Sequence, residues 1–436
     1  MLRMLLTLTL VTCGLAARAE VTIQQVTSPG GINAWLVEEH SIPFTALEIR
    51  VRGGTALDLP GKRGATNLMM ALIEEGAGDM DARAFQAARE ALAAEYSFDS
   101  YDDAVSISTR FLTENRTQAV DLLRLALIQP RFDQDAIDRV RAQVLSGIAS
   151  DALDPDTIAG DVLFAAAYPA HPYGSSDSGT PETVAALTRD DILTANANAL
   201  TRDRIFVGAV GDISAAELGA LLDHLLGDLP AAGPPLPADL PYALPGGVTV
   251  VDFDTPQAVA LFAQAGIARD DPDYFAAHIM NHILGGGGFE SRLMHEVREV
   301  RGLTYGIGTY LVPKDHSAMI LGSVASSNDT VAEAIAVTQA EWARMQATGL
   351  TAEELATAKT YITGEYPLRF DGNGPIAEIL VGMQMLGLPP EYVLNRNDYM
   401  NAVTLEQINA LAGSLLDAEG LHFVVVGRPV GLATTP

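Results

Sequence analysis

The chain has 436 residues, 48% hydrophobic and 19% charged, and a formal net charge of −28 from 27 basic and 55 acidic side chains. That apolar content can bury large cores and excludes disorder, the length allows two to four domains, and the acidic field repels nucleic acid and anionic lipid. Its one cysteine, Cys13, excludes an intrachain disulfide and a thiolate metal cluster.

Met1-Leu2-Arg3, a short apolar run and Ala17-Arg18-Ala19 have the form of an export signal: a basic start, a hydrophobic stretch and small residues at the cleavage point. Residues 1–19 are expected to be removed, leaving Glu20 first in a bacterial periplasmic protein. A lipid on Cys13 is the alternative, which Thr12 before it suits poorly. No later stretch offers about 20 consecutive apolar residues, so no membrane-spanning helix is expected.

Asn33–Glu38 is a mostly apolar run of strand length, and Ala46–Arg52 alternates apolar with polar; both read as strands. Helical stretches follow over 62–75, 81–94, 115–127 and 133–150. Thr188 then opens a helical pattern with Ile192 and Leu200, closed by a β-rich run Ile205–Val210 and Gly211. Residues 229–247 carry six prolines (230, 234, 235, 237, 241 and 245). Proline lacks an N–H and fixes φ, so this stretch reads as an extended linker between one domain at 20–228 and another at 248–436.

Beyond the linker, Val248–Asp252 and Ala258–Gln264 read as strands, and 272–284, 329–348 and 351–364 as helices. Thr404 opens a last helical pattern with Ile408 and Leu416, closed by the strand His422–Val426 and Gly427. From threonine to glycine is 23 positions in both halves. Cap, period, strand and spacing coincide, which points to an internal duplication. Strands and helices mix without strict alternation, so the fold class is α+β: two homologous domains, each a mainly antiparallel sheet packed with helices.

Residues 61–78 read GKRGATNLMMALIEEGAG. This segment resembles the zinc helix of the pitrilysin/insulinase metallopeptidases (inverzincins), G-x-A-H-x-x-E-H. There, two His at i and i+4 on one helix face grip the ion and the Glu polarises the attacking water. The frame is kept in Gly61, Gly64, Leu68, Leu72 and Gly76, but Asn67, Met70 and Ala71 stand where His, Glu and His belong. The third ligand that the resemblance implies, a Glu on a later helix, falls at Gly147 within an apolar frame at 143–148. An amide, a thioether, a methyl and a hydrogen do not replace two imidazoles and a carboxylate on zinc. Glu74, Glu75 and Asp79 lie close by. Glu74 and Glu75 are adjacent on a helix and diverge, so a solvated face is expected rather than a replacement site.

Residues 281–306 resemble the family's C-terminal domain: a glycine-rich loop (Gly285, Gly286, Gly287, Gly288), a short helix ending in Arg298, then Arg301-Gly302-Leu303-Thr304-Tyr305 entering a strand. The resemblance implies that Arg298 and Tyr305 reach the substrate. A guanidinium and a phenol can donate to the scissile carbonyl and stabilise the oxyanion formed by water attack. The bland alternative pairs Arg298 with a surface Glu and makes Tyr305 the cap of a core. His278 and His282, at i and i+4 around Asn281, imitate H-x-x-E-H without a carboxylate and read as a partly buried helix face. The four glycines follow a helix, not a strand. They therefore suit close backbone approach better than a phosphate cradle. The likeness extends over nearly all the mature chain, including the turn His171-Pro172-Tyr173-Gly174.

These readings together predict a non-catalytic subunit of a periplasmic zinc metallopeptidase, its domains arranged as a clam-shell-like pair. It would hold no cofactor itself. Zinc would sit in a homologous partner subunit, in a heterodimer or heterotetramer, or the chain would pair with itself. Arg298 and Tyr305 would act on the peptide substrate in trans. The alternatives are an inactive homodimeric peptide-binding or assembly module, and an autonomous metallopeptidase with a non-standard metal at His278 and His282.

Overall fold

A computed structural model describes residues 22–435; the segment 1–19 expected to be an export signal, with Cys13, lies outside the described residues. The first half runs β1 (Gln24–Thr27), β2 (Asn33–Glu38), β3 (Phe44–Arg52), α1 (Ala65–Leu72) and a short ribbon of β4 (Gly76–Ala77) and β5 (Met80–Asp81). It continues through α2 (Ala82–Ala91), β6 (Glu95–Ser100), β7 (Ala104–Leu112), α3 (Arg116–Ile128), α4 (Gln134–Asp151) and α5 (Pro155–Ala167). It closes with α6 (Pro181–Ala185), α7 (Arg189–Ala199), β8 (Ile205–Gly211) and α8 (Ala215–Leu226).

The second half holds β9 (Gly247–Asp252), β10 (Gln257–Ala265), α9 (Tyr274–Asn281), β11 (Ile307–Lys314), β12 (Ser317–Ser327) and α10 (Val331–Thr348). After these come α11 (Ala352–Glu365), α12 (Asn373–Met385), α13 (Tyr392–Ala402), α14 (Leu405–Leu415) and β13 (His422–Gly427). No helix among the described residues is long and apolar enough to cross a membrane.

The duplication is written in the strand order. One sheet runs β1-β2-β8-β3-β7-β6 and the other β11-β12-β10-β13-β9. Read from β2 and from β9, the two orders are the same, and β1 is the one addition. In each sheet a single parallel pair, β2 with β8 or β9 with β13, sits beside antiparallel neighbours. The paired helix starts also match: Thr188 Oγ1 accepts from Asp191 N–H at 3.3 Å, and Thr404 Oγ1 from Gln407 N–H at 3.1 Å.

Each half lends a helix to the other. α5 packs on β10 and β13, where Ala159, Leu163 and Ala167 meet Val259, Ala263, Val424 and Val426. α12 packs on β8 and β3, setting Ile376, Ala377 and Leu380 against Trp35, Ala46 and Val210. Gly208 makes the second contact possible, because a Cβ there would come within 2.5 Å of the Ala377 carbonyl oxygen. With both faces of each sheet covered, the central strands are apolar on both sides, which is why 258–264 shows a run rather than an alternation.

The tip of the β11–β12 hairpin completes the clasp. Lys314 pairs with Asp102, and Arg52 Nε lies 2.8 Å from Asp315. Tyr173, from the His-Pro-Tyr-Gly turn, donates to Asp103 and accepts from His316 N–H at 3.2 Å. Residues 232–245 have no regular structure but are tied to both halves. Arg204 donates to Pro234 O at 2.6 Å, Leu240 N–H to His316 O at 2.8 Å, and buried Tyr242 to Ala263 O at 3.2 Å.

Candidate functional site

The helix that should carry the zinc ligands starts on a well-built platform. Asp58 Oδ2 accepts from Gly64 N–H at 2.8 Å; its Oδ1 accepts from Thr66 N–H at 2.9 Å and Thr66 Oγ1 at 2.7 Å. Burial pushes the Asp58 carboxyl up, and these hydrogen bonds, with Arg63 nearby, oppose the shift. Arg63 reaches on to Ser175 O at 3.0 Å and Asp102 at 3.2 Å. Gly64 has φ of 92°, and a Cβ there would sit 2.6 Å from Ser178 O, so the motif's glycine is required by backbone approach. The start of the helix is thus held firmly by Asp58, Arg63 and the backbone approach at Gly64, although the ligand positions beyond it carry no zinc donors.

Asn67 is half-buried and donates to Ser100 Oγ at 3.2 Å. Met70 is 2% exposed and belongs to the apolar core, while Ala71, one turn beyond Asn67, faces solvent. α1 packs against α4, where Gly147 is exposed and a Cβ would meet nothing within 4 Å. Zinc therefore finds no donor set at these four positions. Among the described residues, no group of three or more His, Cys, Asp or Glu is placed to hold a metal ion. Glu74 and Glu75 do diverge, but they are not a free solvated face. Glu74 is half-buried against Arg89 of α2, and Glu75 pairs with Arg139 of α4.

The second-half signature is built differently. α9 runs into a π-helical turn at His282–Gly286, and another π-helical segment, Met294–Val300, carries Arg298. A Cβ on Gly285 would lie 2.6 Å from Thr309 Oγ1 and one on Gly287 2.7 Å from His282 O, so the glycines let the loop press on β11 and its own helix. Arg292 is clamped by Glu354 at 2.6 and 2.8 Å, and that ion pair holds the Glu354 carboxyl down at about 2.

Arg298 has no such carboxylate partner among the described residues. Its guanidinium lies 4.5 Å over the ring of Phe289, itself 62% exposed. Buried Leu303 pins the following loop, and Thr304 Oγ1 donates to Ala325 O at 2.6 Å and accepts from Gly306 N–H at 3.0 Å. Between these anchors Tyr305 is left 85% exposed. Among the described residues Arg298 is thus not paired with a Glu, and Tyr305 caps no core, unlike the arrangement the bland alternative expects. Phe289 was missed in the sequence, although an aromatic directly after four glycines is a visible signal.

The His278/His282 alternative has no support in the surroundings. Burial, and after it Arg396, His282, Arg269 and Arg369, hold the His278 imidazole down at about 4. Three guanidiniums repel a metal cation. His282 lies against the Tyr361 ring, with centroids 5.3 Å apart, and among the described residues no third ligand joins the two histidines.

Two duplicated sheets, a preserved motif helix and a glycine-loop signature define a zinc-peptidase-type fold without its ligands. Comparison with known families agrees. A model described as "Insulinase (Peptidase family M16)" matches residues 34–180, and one described as "Peptidase M16 inactive domain" matches 186–362. The chain belongs to this insulinase peptidase family. A Helicobacter pylori protein named "Non-peptidase homolog YmxG" is 24% identical over 392 residues, covering 90% of each chain. A Bacillus subtilis "Uncharacterized zinc protease YmxG" is 23% identical over 402 residues, covering 90% of this chain and 95% of the relative. The crystal structure of a "peptidase M16 inactive domain" from Pseudomonas fluorescens superposes with a TM-score of 0.87 at 28% identity, over 95% of this chain and 99% of that one. One fold thus spans relatives named for and against peptidase activity, so the site residues have to decide.

Proposed function

We propose that this chain is a non-catalytic member of its family that works in the bacterial periplasm beside a zinc-bearing homologue. It completes the partner's peptide-binding chamber and lends Arg298 and Tyr305 to the scissile carbonyl. The observation that carries this reading is the contrast between the halves: the ligands on α1 and α4 are replaced, while Arg298 has no carboxylate partner among the described residues and rests only on the exposed Phe289 ring, and Tyr305 is 85% exposed. A guanidinium and a phenol O–H need no metal contact to stabilise an oxyanion, so they can serve a peptide bound on another chain. The name of the Helicobacter pylori relative supports the non-catalytic half of the proposal.

The test is purification from the native host under mild conditions, identification of what accompanies the chain, and reconstitution with it. A homologue carrying an intact H-x-x-E-H is expected, with hydrolysis of a fluorogenic peptide only by the mixture. Tyr305→Phe and Arg298→Ala should each cut that rate by about 10²-fold if each supplies an oxyanion donor. Unchanged activity in both variants would sink the assignment of these two residues. Peptide retained by the chain alone, with no homologue present, would favour the homodimeric binding module.

A further inference from the structure

A cavity of about 340 Å³ opens in the second half among α9, α12, α13 and the turn at Tyr366–Arg369. None of its walls belongs to α1, α4 or the glycine-loop signature, so it is a separate feature. Its polar wall is made by Arg269, Arg369 and Arg396. In a chain with 55 acidic and 27 basic residues, a carboxylate should be easy to find for any arginine. Arg292 and Arg344 each clamp a glutamate. The three cavity arginines have no carboxylate partner among the described residues.

What they touch instead is neutral. Arg396, only 6% exposed, donates Nη1 to Ile362 O at 3.0 Å and lies 4.5 Å over the Tyr366 ring. Burial pushes it below its ordinary range, and no carboxylate is among the groups acting on it. Arg269 lies 4.3 Å over the Tyr274 ring and donates to Tyr392 Oη at 3.3 Å. His278, held neutral at pH 7, adds no negative charge. The opposite wall is apolar, formed by Ile379, Met383, Leu388 and Met400. Burying the Arg396 guanidinium without a counter-charge is costly, and the Tyr366 face offsets only part of that cost. Arg269 is half-buried and Arg369 exposed beside it, so the three together present unmatched positive charge to the cavity.

We propose that this cavity binds a small organic carboxylate, its anionic head between Arg269, Arg369 and Arg396 and its flat or apolar body against Tyr392 and Met383. Arginine forks match a carboxylate bidentately, and a cavity of this size and mixed lining suits a compact ligand.

The test is calorimetric titration of the purified chain with benzoate and phenylacetate. Benzamide serves as a neutral control of the same shape, and inorganic phosphate as an anion without an apolar body. Saturable binding of at least one acid is expected, with benzamide and phosphate at least about tenfold weaker. Arg369→Gln, at the exposed rim where folding is not at stake, should weaken the acid by about tenfold, and Arg396→Gln should abolish it. A short peptide ending in a free phenylalanine carboxylate, beside its amide, tells a chain terminus from a free acid as the source of the head group. No saturable binding by either acid or the free-ended peptide at millimolar concentration overturns the proposal. So does equal binding by benzamide, or an Arg369→Gln chain that binds as the parent does.

Discussion

If the erased zinc site was lost only at its ligands, three substitutions should bring metal binding back: Asn67→His, Ala71→His and Gly147→Glu. The costs can be worked position by position. Asn67→His gives up one hydrogen bond to Ser100 Oγ, worth about 1 kcal/mol. Ala71→His sits on an exposed helix face and loses about 0.6 kcal/mol of helix propensity. Gly147→Glu points into open space and returns about 0.5–1 kcal/mol, because glycine is a poor residue in a helix interior. The apo variant should therefore be within about 1 kcal/mol of the parent. Zinc at 100 times its dissociation constant then adds about 2.7 kcal/mol.

The assay is elemental analysis after dialysis, expected to give about one zinc per chain, together with a thermal midpoint that rises with zinc and falls again with a chelator. Met70 can stay, since its position carries the general base and not a ligand, so the variant should bind metal without cleaving peptides. A folded triple variant that takes up no zinc would refute the reasoning, because it would mean that α1 and α4 no longer present the ligand positions to one point.

Two further outcomes follow from the packing. His278 is held near 4 in the folded chain against about 6.5 unfolded, so below pH 6.5 the unfolded chain takes the proton first. Its effect is nil above pH 6.5, grows as pH falls toward 4 and levels off below, a loss of about 3 kcal/mol in all. Urea titrations of the parent and of His278→Gln at pH 7 and pH 4.5 should show a smaller fall for the variant, and equal falls would contradict the assignment. Gly208→Val should lift α12 from the first sheet, since even a Cβ would sit 2.5 Å from Ala377 O, at a cost of about 1–3 kcal/mol or more. Limited proteolysis should then cut first near 368–372, ahead of α12, and an unchanged digestion pattern would count against α12 as the clasp.

The parts of the fold that were legible are those with a local period. β2 coincides with the run Asn33–Glu38, and α3, α4, α10 and α11 fall within a residue or two of the stretches expected for them. Thr188 and Thr404 could be read as caps because capping is a contact within four residues. α5 and α12 were not anticipated. Each meets a sheet from the other half and is apolar on more than one side, so neither shows a clean stripe. β7 was also missed, although Val105, Ile107 and Phe111 alternate inward along it.

The chemistry divides in the same way. That Asn67, Met70, Ala71 and Gly147 cannot hold zinc follows from donor atoms alone, and residue identity settles it before any folding is considered. The duplication too is a property of spacing along one chain. Whether Arg298 is paired or displayed, whether Tyr305 is core or surface, and whether three arginines far apart in sequence share one cavity depend on long-range packing. No local pattern encodes those contacts, because they form only when two sheets, two exchanged helices and a hairpin tip close on one another.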